Sequence, residues 1–167
     1  MESTAMCMLL VDDEPSILNA LRRELADWAE ERGLEILTAH SAPAGLELLE
    51  SRGESTLIAV SDLKMPGMLG SDFLLAVKAR FPNIVTLLLT GYSETRELTK
   101  AVSAGIFSYL QKPWDSADLL VEVQKAYLHG ETRRENLRYA RMIDDELKWA
   151  GEMQKAILRP NIPNSEG

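Results

Sequence analysis

Ser61-Asp62-Leu63-Lys64-Met65-Pro66-Gly67 closes the run Thr56-Leu57-Ile58-Ala59-Val60-Ser61. Apolar and small residues bounded by a Pro-Gly turn signal read as a buried strand, so Asp62 emerges at that strand's C-terminal edge. In an open parallel α/β sheet that edge is where ligand sites form. Read alone, Asp62 serves equally well as the residue that ends the strand and caps the next segment, because a single motif is weak. The chemistry at the other strand ends decides between the two.

Working outward, Met6-Cys7-Met8-Leu9-Leu10-Val11 is another continuous apolar run, short enough for a strand buried on both faces. It ends in Asp12-Asp13-Glu14, and Pro15 then opens a helix where its missing N–H is harmless. Ile17, Leu18, Leu21, Leu25 and Trp28 recur at helical spacing, up to Gly33. Residues 34–39 read as a strand and 42–51 as a helix carrying Leu46, Leu48 and Leu49, closed by Gly53. Past the Asp62 loop, Ser71-Asp72-Phe73 starts a helix with Phe73, Leu74, Val77 and Phe81 on one face, stopped by Pro82. Ile84-Val85-Thr86-Leu87-Leu88-Leu89 is the most strand-like run, ended by Thr90-Gly91-Tyr92. Ser93 is placed to cap a helix with Glu97 near its first turn, running to Ala104-Gly105. Phe107-Ser108-Tyr109-Leu110 is a short fifth strand, followed at once by Gln111-Lys112-Pro113. A last helix begins near Ser116 and meets no stop before Pro160. Strand and helix alternate five times, which predicts a doubly wound α/β fold with a five-stranded parallel sheet and an extended C-terminal helix.

The whole chain sets bounds. With 167 residues, 46% of them apolar, it can bury one proper core. A net charge of −8 argues against nucleic acid as its direct ligand. The single cysteine, Cys7, cannot form an internal disulfide, which fits a reducing compartment. No basic region precedes a long apolar stretch, and no apolar run approaches the roughly 18 residues that span a bilayer. A cytoplasmic protein without membrane partners is the expectation.

The strands end in Asp12-Asp13, Asp62, Thr90 and Lys112, all on one edge of a parallel sheet. Three carboxylates in one cleft repel each other, and burying them alone is costly. A divalent oxygen-loving cation resolves the conflict, and Mg²⁺ takes one or two carboxylates with waters and a phosphate oxygen. Lys112 adds a point charge and Thr90 a hydroxyl, both suited to phosphoryl oxygens. The set reads as a phosphoryl-transfer site with a carboxylate nucleophile.

Val11-Asp12-Asp13-Glu14-Pro15, Asp62 with Met65-Pro66-Gly67, Thr90-Gly91, Tyr109 and Lys112-Pro113 together resemble the receiver domain of two-component response regulators. The resemblance covers residues 6–128 and implies a flavodoxin-like (βα)5 fold. Carried over to these positions, it implies Asp62 as phospho-acceptor, taking its phosphoryl group from a phosphohistidine on a sensor histidine kinase or phosphotransfer protein. It implies Mg²⁺ bound by Asp13, Asp62 and the backbone carbonyl of Lys64, with Asp12 reaching it through water. Thr90 and Lys112 would hold phosphoryl oxygens, Tyr109 would be the switch residue coupled to Thr90, and Lys112-Pro113 would be cis. Lys64 and Tyr92, each two residues past a site residue, are expected to flank the path of attacking water and lengthen the phosphorylated lifetime. The apolar loop 65–70 packs either on a histidine-bearing partner or on its own domain.

Past Gly130, Asn136, Ala140, Ile143, Leu147, Ala150, Gln154 and Ile157 are separated by spacings of four and three. That is a heptad seam, expected to pair two copies as a parallel coiled coil, with a helix folded back on its own domain as the rival. The segment from Glu146 to Pro163 resembles the lead into PPM-type (SpoIIE-like) serine/threonine phosphatase domains of response regulators. The expected organisation is a receiver at 1–128, a linker helix at 129–160 and a tail at 161–167 marking a truncation, with a downstream phosphatase outside this chain.

Two readings of other classes compete. A Mg²⁺-dependent phosphohydrolase using Asp62 as nucleophile would commonly carry a second acid two residues later, where this chain has Lys64. A protein-binding adaptor with incidental phosphorylation has no need of the complete set of acids, Thr90 and Lys112. A stoichiometric phospho-acceptor, not an enzyme of high turnover, is the expectation.

Overall fold

A computed structural model of the chain describes residues 4–158. The expected stop at Pro160 and the tail 161–167 lie outside the described residues. The order is β1 (Cys7–Val11), α1 (Pro15–Glu31), β2 (Glu35–Ala39), α2 (Ala42–Arg52), β3 (Thr56–Asp62), α3 (Gly70–Arg80), β4 (Val85–Thr90), α4 (Thr95–Ser103), β5 (Ser108–Gln111) and α5 (Ser116–Ile157). A single 3-10 turn, Gly53–Ser55, joins α2 to β3. The five strands form one parallel sheet in the order β2-β1-β3-β4-β5. This is the doubly wound flavodoxin-like fold.

The period of two along each strand divides the core between the sheet's faces. Met8, Leu10, Ile58, Val60, Leu87 and Leu89 pack with Leu18, Leu21 and Leu25 of α1 and Leu119 and Val123 of α5. Their neighbours Leu9, Val11, Ala59 and Leu88 face Leu49 of α2, Phe73, Leu74 and Val77 of α3, and Ala101 of α4. Both faces being covered explains why β1, β3 and β4 are buried throughout and mostly apolar rather than alternating with exposed polar residues. Trp28 of α1 ties the first layer together: its Nε1–H donates to Gln124 Oε1 at 2.9 Å, and its ring meets Tyr127 edge-on at 5.6 Å.

The helix starts show where sequence signals hold and where they fail. Ser41 caps α2, its hydroxyl accepting from the Ala44 N–H at 3.2 Å, and Pro15 opens α1. The expected cap at Ser93 is corrected: α4 starts after Glu94, whose side chain makes no cap bond to its own helix. At the other end of α4, Gly105 turns with φ of +93°, a left-handed conformation that suits glycine. The apolar loop after Asp62 rests largely on its own domain, with Met65 buried and Met68 packed against the core, while Leu69 is exposed.

The chain divides into two compact units, Met1–Glu131 and Thr132–Gly167. In the second, the described residues 132–157 are helical, and the apolar seam residues Ile143, Leu147 and Ile157 are 57%, 67% and 76% exposed. Ala140 and Ala150 are exposed on the same helix. Among the described residues no helix is long and apolar enough to cross a membrane.

Candidate functional site

Ladder hydrogen bonds run to the last residue of each strand and thereby fix the groups just beyond it. The Asp12 N–H donates to Ala39 O at 3.2 Å, Leu63 N–H to Leu89 O at 2.8 Å, and Lys112 N–H to Thr90 O at 2.7 Å. Four strand ends are held level at one edge of the sheet. Glycine brings α3 close to that edge: the Gly70 N–H donates to Leu63 O at 2.7 Å, and a Cβ at Gly70 would run into the Asp62 carbonyl oxygen.

Asp12, Asp13 and Asp62 offer carboxylate oxygens that all lie within 4.8 Å of one another. Asp12 is fully buried and Asp62 is 6% exposed, while Asp13 stands open to solvent. Lys112 Nζ lies 3.0 Å from Asp62 Oδ1 and 3.3 Å from Asp12 Oδ2, bridging the two buried acids. The Asp12 Oδ1 atom also accepts from the Glu14 N–H at 2.9 Å, which orients it at the start of α1.

Burial pushes the Asp62 carboxyl above the usual carboxylate range, and the charges of Asp12 and Glu94 push the same way against the Lys112 hydrogen bond and charge. Burial raises Asp12 too, against the Glu14 N–H and Lys112. At Lys112 burial is the largest single influence and favours the neutral amine, but the two aspartates together outweigh it and leave the ammonium raised. Two buried acids share one lysine, so the cluster is short of positive charge. An oxygen-only donor set of this kind suits a hard divalent cation such as Mg²⁺ and not the softer transition metals. The donors present fit the expected ion: Asp12, Asp13 and Asp62 would hold it, and the carbonyl of Lys64 comes two residues later on the same loop.

Thr90 is buried at the end of β4, and its hydroxyl points to Glu94 Oε2 and to Gly91 O, both at 3.2 Å. The same Glu94 oxygen accepts from the Gly91 N–H at 2.9 Å. Sequence reasoning missed Glu94, because an acid just before a helix resembles an ordinary first-turn residue. Tyr109 pairs in register with Leu88 and is 47% exposed, so its ring stands outside the core rather than packing within it. Lys64 is exposed and Tyr92 is 74% exposed. Lys112-Pro113 is cis.

The family model for the response regulator receiver domain matches residues 8–124. The chain belongs to that family. The receiver is 34% identical over 135 residues to the hydrogenase transcriptional regulatory protein HoxA of Cupriavidus necator, covering 78% of this chain and 27% of that protein. It is 32% identical over 126 residues to the DNA-binding transcriptional regulator NtrC of Escherichia coli, covering 75% of this chain and 26% of that one. The chain thus spans about a quarter of the length of these relatives. Among solved structures, the signal receiver domain of an HD domain-containing protein from Pseudomonas fluorescens aligns with a TM-score of 0.72 at 30% identity, over 81% of this chain and 96% of that one. A receiver domain protein from Clostridium thermocellum aligns with a TM-score of 0.68 at 31% identity, over 79% and 98%. The family match stops before the heptad seam begins.

Proposed function

We propose that this receiver is a phosphorylation-driven switch in which Asp62 is the phospho-acceptor. The observation that carries the reading is the bridging of two buried acids by Lys112, 3.0 Å from Asp62 and 3.3 Å from Asp12, beside the exposed carboxylate of Asp13. The donor is a phosphohistidine on a sensor histidine kinase or phosphotransfer protein. A carboxylate oxygen of Asp62 attacks the phosphorus, the P–N bond breaks, and its electron pair returns to the imidazole, which takes up a proton. The product is an acyl phosphate on Asp62, later hydrolysed by water to inorganic phosphate and the free carboxylate. Mg²⁺, when bound, offsets the negative charge gathered on the transferring oxygens.

Lys112 stabilises the same charge from a fixed position and orients Asp62 for attack. Asp12 and Asp13 complete the cation's carboxylate set. Phosphorylation adds about −1.5 to −2 charges to an acidic edge, so the Thr90 hydroxyl turns toward the new phosphoryl oxygens. That movement leaves room for the exposed Tyr109 ring to turn inward, which reshapes the surface built from α4, β5 and α5 by population shift. Lys64 and Tyr92 shield the acyl phosphate from water. The chain acts stoichiometrically and hydrolyses itself slowly.

The output side of the proposal is a homodimer through Ala140, Ile143, Leu147, Ala150 and Ile157. A downstream PPM-type phosphatase is the candidate effector, on the strength of the segment beginning at Glu146. A cytoplasmic location is the corollary of the kinase partner.

The test is intact-mass measurement after incubation with acetyl phosphate, a small acyl phosphate donor. Wild type with Mg²⁺ gains the mass of one phosphoryl group, whereas Asp62→Asn, or wild type in chelator, gains none. Undiminished labelling of Asp62→Asn would overturn the assignment.

A further inference from the structure

Glu94 takes no part in phosphoryl transfer as proposed, yet it holds the two donors nearest the end of β4. One oxygen, Oε2, accepts the Gly91 N–H at 2.9 Å and lies 3.2 Å from the Thr90 hydroxyl, whose single proton it shares with Gly91 O at the same distance. A backbone N–H and a threonine hydroxyl converging on one anionic oxygen is the pattern that binds a phosphoryl oxygen. The carboxylate stands in for such an anion.

Two further observations show that this placement is specific. Glu94 sits at the N-cap of α4 with φ of −105° and ψ of 30°, within reach of the helix's first N–H groups, although shorter Ser, Thr, Asp and Asn side chains are the usual caps there. Its side chain makes no cap bond and turns back to the strand instead. Among the described residues Glu94 also has no ion pair, so Gly91 and Thr90 are the donors that hold its charge. Its charge is felt at Asp62, where it adds to the upward push on that carboxyl.

We infer that Glu94 is a positioning residue that restrains the switch, competing with the phosphoryl group on Asp62 for the Thr90 hydroxyl and the Gly91 N–H. The inference rests on the reading of Asp62 as phospho-acceptor. When Asp62 is phosphorylated, the new oxygens take both donors and Glu94 is released. Its carboxylate then has a second favourable position at the N-terminus of α4, whose orphan N–H groups attract an anion. One side chain thus has two alternative sites, one on the strand end and one on the helix, and the phosphoryl group selects between them. This ties the chemistry at β4 to the position of α4 through a single exchange of hydrogen bonds.

The experiment is a titration of the full chain with beryllofluoride, a phosphoryl mimic, in Mg²⁺, read by fluorine NMR. Wild type, Glu94→Gln and Glu94→Ala are each compared in the Thr90 and Thr90→Ala backgrounds. Releasing a charge-assisted competitor should tighten beryllofluoride binding about tenfold in Glu94→Ala. The gain should be smaller in Glu94→Gln, whose amide oxygen still accepts but carries no charge. In the Thr90→Ala background the gain from either change should be clearly smaller, since one of the two contested donors is gone and only the Gly91 N–H remains. Equal gains in both backgrounds would show a through-space charge effect and overturn the competition. Weaker binding in both Glu94 variants would show a capping role and overturn it as well. Should Glu94→Ala fail to fold, the near-isosteric Glu94→Gln pair decides alone. Absence of beryllofluoride binding by wild type would instead overturn the Asp62 reading and the inference with it.

Discussion

At the residue scale, the buried acids hold a tension that has consequences without any phosphoryl group. Asp62 and Asp12 are both raised, burial being the main cause. A carboxyl whose folded value lies above its unfolded one binds the extra proton in the folded state, so stability falls as pH rises through the window between them. Above that window both states are ionised and the penalty is fully present. Asp62→Asn removes it, and without added cation should raise the melting temperature at pH 7 by roughly 3–5 °C, about what 1 kcal/mol gives in a domain of this size. The gap between variant and wild type should close as pH falls below the usual carboxylate range. Mg²⁺ should also narrow the gap by stabilising wild type preferentially, as any ligand of the folded state does. Calorimetry across pH, with and without Mg²⁺, checks all three; a variant less stable than wild type at pH 7 would contradict the account. That Asp12, Asp13, Asp62, Thr90 and Lys112 stand at strand ends on one edge of the sheet was legible in the sequence, because each follows a short strand-like run bounded by a turn signal. Glu94 was not, since its role depends on the side chain turning away from its own helix. That choice is made by Gly91 and Thr90 in three dimensions and leaves no periodic mark.

At the scale of the element, the site depends on how closely α3 approaches the end of β3. Gly70 allows this, its missing side chain giving way to the Asp62 carbonyl. Gly70→Ala should push the start of α3 off the strand and cost about 1–3 kcal/mol, as overpacking does. Because the displaced backbone is that of Asp62, beryllofluoride affinity should fall along with the urea midpoint. Loss of stability with unchanged affinity would show that α3 is not what fixes the acceptor. β1, β3 and β4 were legible from near-continuous apolar runs, and β2 and β5 from shorter mixed runs between turn signals. The start of α4 was not. Ser93 carries the right chemistry for a cap, but the chain turns one residue later, after Gly91, and leaves Ser93 in the loop.

For the whole molecule, the second unit carries apolar side chains that a water-exposed helix does not need. Ile143, Leu147 and Ile157 are each more than half exposed in the single chain, with Trp149 at 65% on the same helix. Scattered exposed apolar residues are ordinary, whereas a run at heptad spacing marks a contact surface. Light scattering of wild type should give twice the 18.6 kDa of one chain, and Ile143→Asp with Leu147→Asp should restore the monomer. A wild-type monomer at high micromolar concentration would remove the seam from consideration. The heptad was visible in the sequence, but the partner it selects is a property of two chains, which no single sequence pattern settles.

The placement of Cys7 has a use of its own. The chain has one thiol, and it is fully buried in β1, between β2 and β3, with Sγ 3.2 Å from the Thr56 hydroxyl. A maleimide or disulfide reagent can reach it only when an inner strand leaves the sheet, which is close to complete opening. Its labelling rate under native conditions therefore clocks the rarest fluctuation of the domain, in buffer alone and on unmutated protein. Mg²⁺ and beryllofluoride should slow that clock by the factor with which they bind, while labelling as fast as a free thiol would mean that β1 is not held as an inner strand.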